Sequence, residues 1–192
     1  MKFIQKVFFR LRERTSTIFL NRARKVYWSL QGMQIGHGVN LPKFFITWPH
    51  QVKIGMNSNL EDGIYFKFDG VWSPGPKICI GNNCFLGAHS ELNIRQGISI
   101  GDNCLIASGC KFIDHDHGFA KRDVSINIQG DGAEVPITLE NDVWLGVNVV
   151  ILKGVTIGKG AIIGAGSVVT KSIPPYEIWA GIPARKIFER PA

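Results

Sequence analysis

Two histidines in one short polar segment, His115 and His117, are the side chains whose type and spacing best suit chemistry in this chain. An imidazole has a pKa of about 6.5, so its neutral form accepts a proton near neutral pH. Asp114 and Asp116 alternate with the histidines, and either carboxylate could orient or polarise an imidazole ring. A histidine so placed could act as a general base in catalysis. A histidine in a polar loop is more often a surface residue, so the surrounding elements decide between the two interpretations.

An aliphatic side chain recurs at every sixth residue over long stretches, and a fixed short period of this kind is typical of solenoid folds. A period of six matches neither the turn of a helix nor the alternation of a simple hairpin. Three six-residue sides would instead form one triangular turn of a parallel β-helix. We therefore predict an all-β protein, a parallel β-helix of about six coils, from these triplets: Ile35, Leu41 and Thr47; Ile54, Leu60 and Phe66; Ile80, Leu86 and Leu92; Ile100, Ile106 and Phe112; Leu139, Leu145 and Ile151; Ile157, Ile163 and Val169.

The four cysteines need no chemical role under this pattern. Cys84, Cys104 and Cys110 each fall four residues after a repeat aliphatic, in a slot that small residues occupy in most coils. We predict that they are compact core residues with free thiols, since the chain contains no CxxC pair. Cys79 lies outside this phase.

Two interruptions of the period predict loops that leave the regular coil. Residues 67–77 are rich in Gly and Pro, which favour turns. Residues 113–136 form a longer excursion near whose start the two histidines lie. Because long loops on a regular scaffold usually carry function, the second loop is the candidate active-site loop.

The formal net charge of +7 is concentrated at the start of the chain. Residues 1–34 hold eight of the 22 Lys and Arg and a single acidic residue, Glu13, whereas the remainder is balanced. This distribution, without a zinc-finger, RNP or helix-turn-helix signature, argues against binding of nucleic acid. The opening segment predicts a basic amphipathic helix, because four apolar residues lie near helical spacing: Ile4, Phe8, Leu11 and Ile18.

Two roles fit this predicted helix. It could cap the exposed first coil, because solenoids need covered ends, or residues 1–30 could lie on an anionic membrane surface. We favour capping. No uncharged stretch approaches the roughly 18 residues needed to span a bilayer, and charges interrupt any secretory segment. We therefore expect a cytoplasmic protein, with peripheral contact at the inner face of the membrane as the second reading.

The chain resembles the hexapeptide-repeat acyltransferases with a left-handed β-helix, especially the O-acetyltransferases of sugars and surface polysaccharides. The resemblance covers residues 35–190 and is strongest from residue 98. It rests on the repeated aliphatic-glycine pairs, the histidine-bearing loop, and the stretches NDVWLGVNVVILKGVTIGKGAIIGAGSVVTKSIPP and AGIPARKI. Residues 1–34, a basic helical segment, lie outside the resemblance. The resemblance implies a left-handed β-helix over residues 35–173, with the loop 113–136 inserted, and a C-terminal extension, residues 174–192, that packs on the last coil.

The activity that the resemblance implies is transfer of an acetyl group from acetyl-CoA to a hydroxyl, in a homotrimer whose active sites lie between neighbouring coils. A thioester is already activated, so the enzyme must mainly position the acceptor and remove its proton. Counting from the segment that begins at Leu105, the family's catalytic histidine corresponds to His117 rather than His115. A general base of this kind contributes a rate factor of about 10² to 10⁴. No metal is expected.

The resemblance also implies residues that contact each substrate. Those near the acceptor are His115, Asp116, Glu91, Asn93 and His89. On the donor side, Trp144 and Gly146 correspond to residues that line the thioester, and a backbone N–H near Gly146 or Val147 suits an oxyanion donor. Many relatives have serine where Val147 stands, which leaves the main chain as the donor here. The positions implied along the CoA groove and at its phosphates are Ala165, Gly166, Thr170, Lys171, Arg185 and Lys186.

Two other enzymatic readings remain open. The acceptor could be an amine of an amino sugar or another small molecule, since nothing in the acceptor region distinguishes an amine from a hydroxyl. The scaffold also occurs in zinc enzymes, for which His89, His115 and His117 are the credible trio, although they lack the His-x4-His part of such a site. A purely structural role is disfavoured because the CoA-side pattern is intact.

Overall fold

The computed structural model describes Gln5 and residues 20–191, and the statements below concern these residues. Residues 20–30 are α-helical. The predicted amphipathic positions Ile4, Phe8, Leu11 and Ile18 lie outside the described residues.

Three parallel sheets form the body of the protein, and the chain visits them in rotation. The first sheet contains β1 (Gln34–Ile35), β3 (Val52–Ile54), β6 (Ile78–Ile80), β9 (Ile98–Ile100), β14 (Ile137–Leu139) and β17 (Thr156–Ile157). The second contains β4 (Asn59–Leu60), β7 (Phe85–Leu86), β10 (Leu105–Ile106), β15 (Trp144–Leu145), β18 (Ile162–Ile163), β20 (Glu177–Gly181) and β21 (Ala184–Glu189). The third contains β2 (Phe44–Ile46), β5 (Ile64–Phe68), β8 (Glu91–Ile94), β11 (Lys111–Ile113), β16 (Val150–Leu152) and β19 (Val168–Val169).

The repeat residues stack directly on one another between coils. In the second sheet, for example, Leu86 pairs with Leu60 on one side and with Ile106 on the other, and all three side chains are buried. Stacking of this kind continues through six strands of the first sheet, so each aliphatic packs on the equivalent residue of the next coil. The predicted fold class, a left-handed parallel β-helix of about six coils, is confirmed.

The first coil departs from the predicted phase by one residue. Ile46, not Thr47, pairs with Phe66 in the third sheet, and Thr47 is exposed. The Thr47 hydroxyl accepts a hydrogen bond from the N–H of Phe68 at 2.9 Å and donates to its carbonyl at 3.1 Å. The assignment of Thr47 to the first repeat triplet was therefore wrong, because this side of the coil is one residue shorter and Thr47 begins the turn.

The glycines that follow the repeat aliphatics are required by close approach of the backbone at the corners of the coil. A Cβ on Gly146 would lie 2.6 Å from the backbone nitrogen of Ala165 in the next coil. A Cβ on Gly81 would lie 2.6 Å from the carbonyl carbon of Gly101. Both distances are shorter than a carbon atom tolerates, so the corner needs glycine for space rather than for an unusual φ.

The cysteines are free, as predicted, and three of them belong to the core. The Cys84 thiol lies 3.0 Å from the Gly101 carbonyl, and the Cys110 thiol lies 3.2 Å from the Gly146 carbonyl. Burial raises the pKa of the Cys110 thiol to about 11. A thiol that stays protonated is a poor nucleophile, so its position is one of packing rather than of chemistry.

Both ends of the coil are covered within the described residues. At the start, the Asn21 side chain accepts a hydrogen bond from the N–H of Leu41 at 3.0 Å, and the Trp28 ring lies 5.2 Å from the Phe44 ring. At the end, β20 pairs with β18, and β21 folds back antiparallel on β20. Across the part of the chain that the structure describes, no helix has the length and apolar character needed to cross a bilayer.

Candidate active site

The long excursion after the third sheet folds into a hairpin of its own. Its strands are β12 (His115–His117) and β13 (Asp131–Glu134), with a 3-10 turn at Ile126–Ile128 between them. The Gln129 side chain closes the far end, because its amide accepts from the Lys121 N–H at 2.8 Å and donates to the Val124 carbonyl at 2.7 Å. The predicted loop is therefore an ordered arm rather than an irregular one.

Asp114 fastens this arm to the preceding coil. Its carboxylate is fully buried and accepts hydrogen bonds from the N–H groups of Arg95 (2.8 Å), Gln96 (2.8 Å) and Gly97 (2.7 Å). The Nδ1 atom of His115 lies 3.0 Å from the same carboxylate. Charge-assisted bonds to three consecutive backbone groups hold the turn and the base of the hairpin in one arrangement.

The two histidines consequently occupy different environments. His115 is 8% exposed and contacts Asp114, whereas His117 is exposed to solvent. Asp116 is ion-paired with Lys153 at 2.6 Å. Neither flanking aspartate contacts His117 in the described structure, because Asp114 binds His115 and Asp116 binds Lys153. The residue opposite His117 in the hairpin is Asp131.

Arg95 holds Asp131 in that position. Its Nη2 donates to the Asp131 carboxylate at 3.0 Å, its Nη1 contacts Glu134 at 3.2 Å, and its Nε donates to the Asp69 carbonyl at 3.1 Å. The hydrogen bond from Arg95 lowers the pKa of Asp131, and a smaller contribution comes from the charge of His117. Sequence reasoning missed Arg95, since its partners are distant along the chain and no local motif marks it.

Three of the residues predicted to lie near the acceptor occupy different positions on or beside β8. Glu91 is ion-paired with Lys111 at 3.2 Å. Asn93 lies beside Ile113, directly before the hairpin, and its Oδ1 is buried with no hydrogen-bond partner among the described residues. His89 lies before the other end of β8, in a left-handed turn with a φ of +58°.

This placement bears on the zinc alternative. His89 is separated from His115 and His117 by the length of β8, so the described chain does not bring the predicted trio together. Among residues 20–191, no group of three or more His, Cys, Asp and Glu side chains is arranged to hold a metal ion.

Most of the predicted donor-side residues lie on and after the second sheet, whereas Thr170 and Lys171 follow β19 of the third. Trp144 points outward from β15, between Leu105 and Ile162 of the neighbouring strands, and is 48% exposed. Gly146 follows on the same side, but its N–H donates to the Ile163 carbonyl at 2.8 Å. Gly146 is therefore not available as an oxyanion donor, and the main-chain candidate is Val147.

The N–H of Val147 is left without an acceptor in the described structure, and the neighbouring coil explains why. At equivalent corners after the first sheet, the N–H of Asn82 bonds the Asp102 side chain at 2.6 Å, and the N–H of Asp102 bonds the Asn141 side chain at 2.8 Å. The residue one coil beyond Val147 is Ala165, which offers no acceptor.

The predicted phosphate contacts are not equivalent to one another. Thr170 and Lys171 are exposed directly after β19, and Arg185 is exposed on β21. Lys186 lies between Glu177 at 2.7 Å and Glu189 at 2.6 Å, and these carboxylates raise its pKa. Two carboxylates already neutralise the Lys186 ammonium, which weakens its case as a phosphate ligand. Ala165 and Gly166 are exposed at the corner after β18.

Two family models match the coil on either side of the hairpin. The model described as "Bacterial transferase hexapeptide (six repeats)" matches residues 136–171. The model described as "Hexapeptide repeat of succinyl-transferase" matches residues 77–110. The hairpin thus interrupts a repeat that is recognisable before and after it.

Three proteins show how far the similarity extends. Galactoside O-acetyltransferase of Escherichia coli (strain K12) is 38% identical over 136 residues, which cover 71% of this chain and 63% of that protein. A second protein of the same strain, "Putative lipopolysaccharide biosynthesis O-acetyl transferase WbbJ", is 33% identical over 140 residues, which cover 70% of each chain. The crystal structure of AntD, an N-acyltransferase from Bacillus cereus in complex with dTDP and 3-hydroxybutyryl-CoA, matches with a TM-score of 0.75 at 25% identity over 88% of each chain.

The chain thus spans less than two thirds of galactoside O-acetyltransferase, but it aligns with 70% of the second Escherichia coli protein at more than 30% identity. The repeats, their stacking in three parallel sheets and these alignments agree with one another. This chain belongs to the hexapeptide-repeat acetyltransferase family.

Proposed function

We propose that this protein transfers an acetyl group from acetyl-CoA to a hydroxyl of a sugar or a surface-polysaccharide precursor, with His117 as general base. The observation that carries the proposal is the exposed His117 imidazole on a hairpin that Asp114 and Arg95 fix to the coil. Two of the similar proteins are named as O-acetyltransferases of galactosides and of lipopolysaccharide biosynthesis, which supports a hydroxyl of a sugar as acceptor.

The proposed reaction proceeds by direct attack. His117 removes the proton of the acceptor hydroxyl as its oxygen forms a bond to the thioester carbonyl carbon. The carbonyl oxygen becomes an oxyanion, which the N–H of Val147 stabilises. Collapse of this intermediate breaks the carbon–sulfur bond, and the imidazolium returns its proton to the departing CoA thiolate.

The proposed donor site follows the second and third sheets. Trp144 supplies an apolar surface for the thioester end of acetyl-CoA, and Ala165 and Gly166 keep the groove narrow for its pantetheine arm. Lys171 and Arg185 suit the phosphates as exposed cations. The CoA thioester named with the Bacillus cereus structure supports a donor of this class.

The proposed assembly is a homotrimer in which neighbouring subunits complete each site. Its support in this chain is the outer face of the second sheet, where Leu105 and Trp144 remain nearly half exposed. Analytical ultracentrifugation tests it, and a monomer at micromolar concentration would reject it.

Replacement of His117 tests the central assignment. In His117→Ala we expect turnover to fall by about 10² to 10⁴, measured as release of free CoA thiol in the presence of an acceptor sugar. The dissociation constant of acetyl-CoA, measured by calorimetry, should stay within a factor of two of the original. His115→Ala is the matched control, and an equal or larger loss in that variant, or full activity without His117, would reject the assignment.

Transfer to an amine is the second candidate function. It is favoured by one observation, the match to an N-acyltransferase over 88% of each chain. The two candidates give products that differ in chemical stability, since an ester is cleaved by mild base and an amide is not. Mass analysis of products from matched hydroxy and amino sugars, before and after treatment with base, separates them.

For location, we propose the cytoplasm, with peripheral contact at the inner face of the membrane as the alternative to a purely capping role of the helix. The support is the basic composition of residues 1–34 and the exposure of Val26, Tyr27 and Leu30 on the described helix. Sedimentation with anionic liposomes tests this against a Val26→Asp/Leu30→Asp variant. Equal binding of the two proteins, or no binding of either, would reject the membrane contact.

A further inference from the structure

Three aromatic rings form an exposed cluster far from the donor-side residues in the sequence. The ring centroids of Trp48 and His50 are 5.8 Å apart, and those of His50 and Trp72 are also 5.8 Å apart. Trp72 is 65% exposed, Trp48 is 36% exposed, and the neighbouring Val71 is 87% exposed. Large aromatic side chains dominate recognition surfaces, so a group of them left open to solvent calls for a ligand.

The cluster is held rigidly from below. Gln51 is fully buried, and its amide nitrogen donates to the Ser73 carbonyl at 2.6 Å and to the Ser73 hydroxyl at 3.2 Å. The Nε2 atom of His50 lies 3.0 Å from the same carbonyl. These contacts join the turn that carries Trp48 and His50 to the loop that carries Trp72, so little conformational freedom remains to be lost on binding.

The Gln51 amide also leaves one polar atom unused. Its Oε1 is buried and has no hydrogen-bond partner among the described residues. A buried acceptor without a partner costs free energy unless water or a ligand hydroxyl reaches it. This atom lies against Gly75, where a Cβ would come within 2.6 Å of it, so Gln51 supports the cluster from below and does not itself face a ligand.

The cluster lies on the same edge of the coil as His117. Successive connections from the third sheet to the first are residues 47–51, 69–77, 95–97 and the hairpin at 114–136. Arg95 joins two of these connections, because its side chain bonds the Asp69 carbonyl and the Asp131 carboxylate. Adjacent coils are about 4.8 Å apart, so the rings and the histidine are separated by roughly 10 to 14 Å along the axis.

Two of the cations near this edge are already neutralised by carboxylates. Lys67 is ion-paired with Asp69 at 3.3 Å, and Arg95 is occupied by Asp131 and Glu134. A nucleotide would need cations for its phosphates, and with Lys67 and Arg95 paired, Lys77 is the cation of the 69–77 connection that has no ion pair among the described residues. A sugar ring needs an apolar face for its C–H groups and hydrogen-bond partners at its rim, which the aromatic cluster and its surrounding polar atoms supply.

We infer that Trp48, His50 and Trp72 form a stacking subsite for a neutral sugar ring of an extended glycan acceptor, beyond the unit whose hydroxyl reacts at His117. This inference rests on the proposed function for the identity of the acceptor. It adds that the protein acts on chains of sugars in preference to single ones. Binding of a sugar ring at this subsite requires neither acetyl-CoA nor turnover.

Fluorine NMR of the full chain labelled with 5-fluorotryptophan tests binding without catalysis. The five tryptophans give separate resonances, which single Trp→Phe variants assign. The probes are glucose and galactose with their β-1,4-linked disaccharides and tetrasaccharides, up to about 50 mM. We expect the Trp48 and Trp72 resonances to shift, with about tenfold tighter binding of a tetrasaccharide than of its monosaccharide, while the Trp144 resonance stays in place.

Two variants separate stacking from general disturbance. Trp72→Ala should lose the dependence on chain length, and Trp72→Phe should keep it because a flat ring remains. No shift at Trp48 and Trp72 with any saccharide would overturn the inference, as would shifts produced by dTDP alone or by protein dilution, which indicate a nucleotide site or an interface between copies. Loss of turnover in His117→Ala with retained saccharide shifts would separate the subsite from the catalytic assignment.

Discussion

The corner after the first sheet and the corner after the second sheet look alike in sequence but differ in their hydrogen bonds. At the first, the backbone N–H groups of Asn82 and Asp102 are bonded by side chains of the next coil. At the second, the N–H of Val147 faces Ala165 and has no acceptor in the described structure. The same repeat therefore bonds this N–H at two corners after the first sheet and leaves it free at Val147.

At the corner between the third and first sheets, one side chain accepts more hydrogen bonds from the backbone of the neighbouring coil. Asp114 accepts from three successive N–H groups of the preceding coil, where Asp102 accepts from one. It also begins the hairpin that carries His117. The comparison teaches that side-chain acceptors from adjacent coils decide which backbone N–H groups are hydrogen-bonded within the protein, and which remain available to a substrate. They also decide where a loop is anchored to the coil.

Removing the anchor should have the largest effect. In Asp114→Ala, three buried N–H groups lose their acceptor, and we expect turnover to fall about 10²-fold because a displaced hairpin misplaces the base. Asp114→Asn keeps an acceptor oxygen and should lose less. Steady-state rates measure the effect, and acetyl-CoA affinity should change little in either variant, since the donor residues lie on other elements. A folded Asp114→Ala protein with undiminished turnover would contradict this role.

Supplying a side-chain acceptor to the N–H of Val147 should have the next largest effect on turnover. Ala165→Asn places an amide oxygen where Asn141 carries one for the N–H of Asp102, so it should bond the N–H of Val147. Ala165→Leu has a similar volume without the acceptor and controls for obstruction of the groove. We expect turnover of the Asn variant to be about tenfold below that of the Leu variant, with higher thermal stability.

The result for that pair is informative in both directions. Equal rates in Ala165→Asn and Ala165→Leu would mean that bulk alone matters at this corner. The N–H of Val147 would then have no part in stabilising the oxyanion.

Removing the side-chain acceptor from a corner after the first sheet should affect stability alone. In Asp102→Ala the N–H of Asn82 loses its acceptor, and we expect a loss of about 1 kcal/mol in the free energy of unfolding. Turnover should stay unchanged, because this corner lies outside the proposed site. Thermal denaturation and the CoA-release assay together measure the variant, and a large loss of turnover would show that the corners are not independent.

The regular part of the molecule was predictable from sequence because it is local. The six-residue period placed the buried aliphatics and the three core cysteines, and it failed at Thr47 only where one side of the coil shortens. The hairpin was predictable as an interruption. Its attachment was not, because Asp114 and Arg95 act on residues 17 or more positions away, and no periodicity encodes those contacts.

The site residues divide in the same way. Trp144 and Asn93 take their positions from the repeat, and the structure places them on the outer faces that the pattern implies. The availability of an N–H group was not predictable, since Gly146 and Val147 differ only in what the adjoining coil offers. Lys186 illustrates the same limit, because Glu177 comes beside it only when the terminal hairpin forms.

Two lysines near the end of the chain give the smallest predicted effect. They extend the comparison from N–H groups with and without an acceptor to ammonium groups with and without a carboxylate partner. Lys171 is exposed, whereas Lys186 is held by Glu177 and Glu189. We expect Lys171→Ala to raise the KM for acetyl-CoA about threefold to tenfold, and Lys186→Ala to change it by less than about twofold. The difference should shrink in 0.5 M salt, at a Debye length of roughly 4 Å, since exposed charges are screened there. The reverse order of effects would mean that Lys186 leaves its carboxylates when the donor binds, and that occupied groups in this fold are not inert.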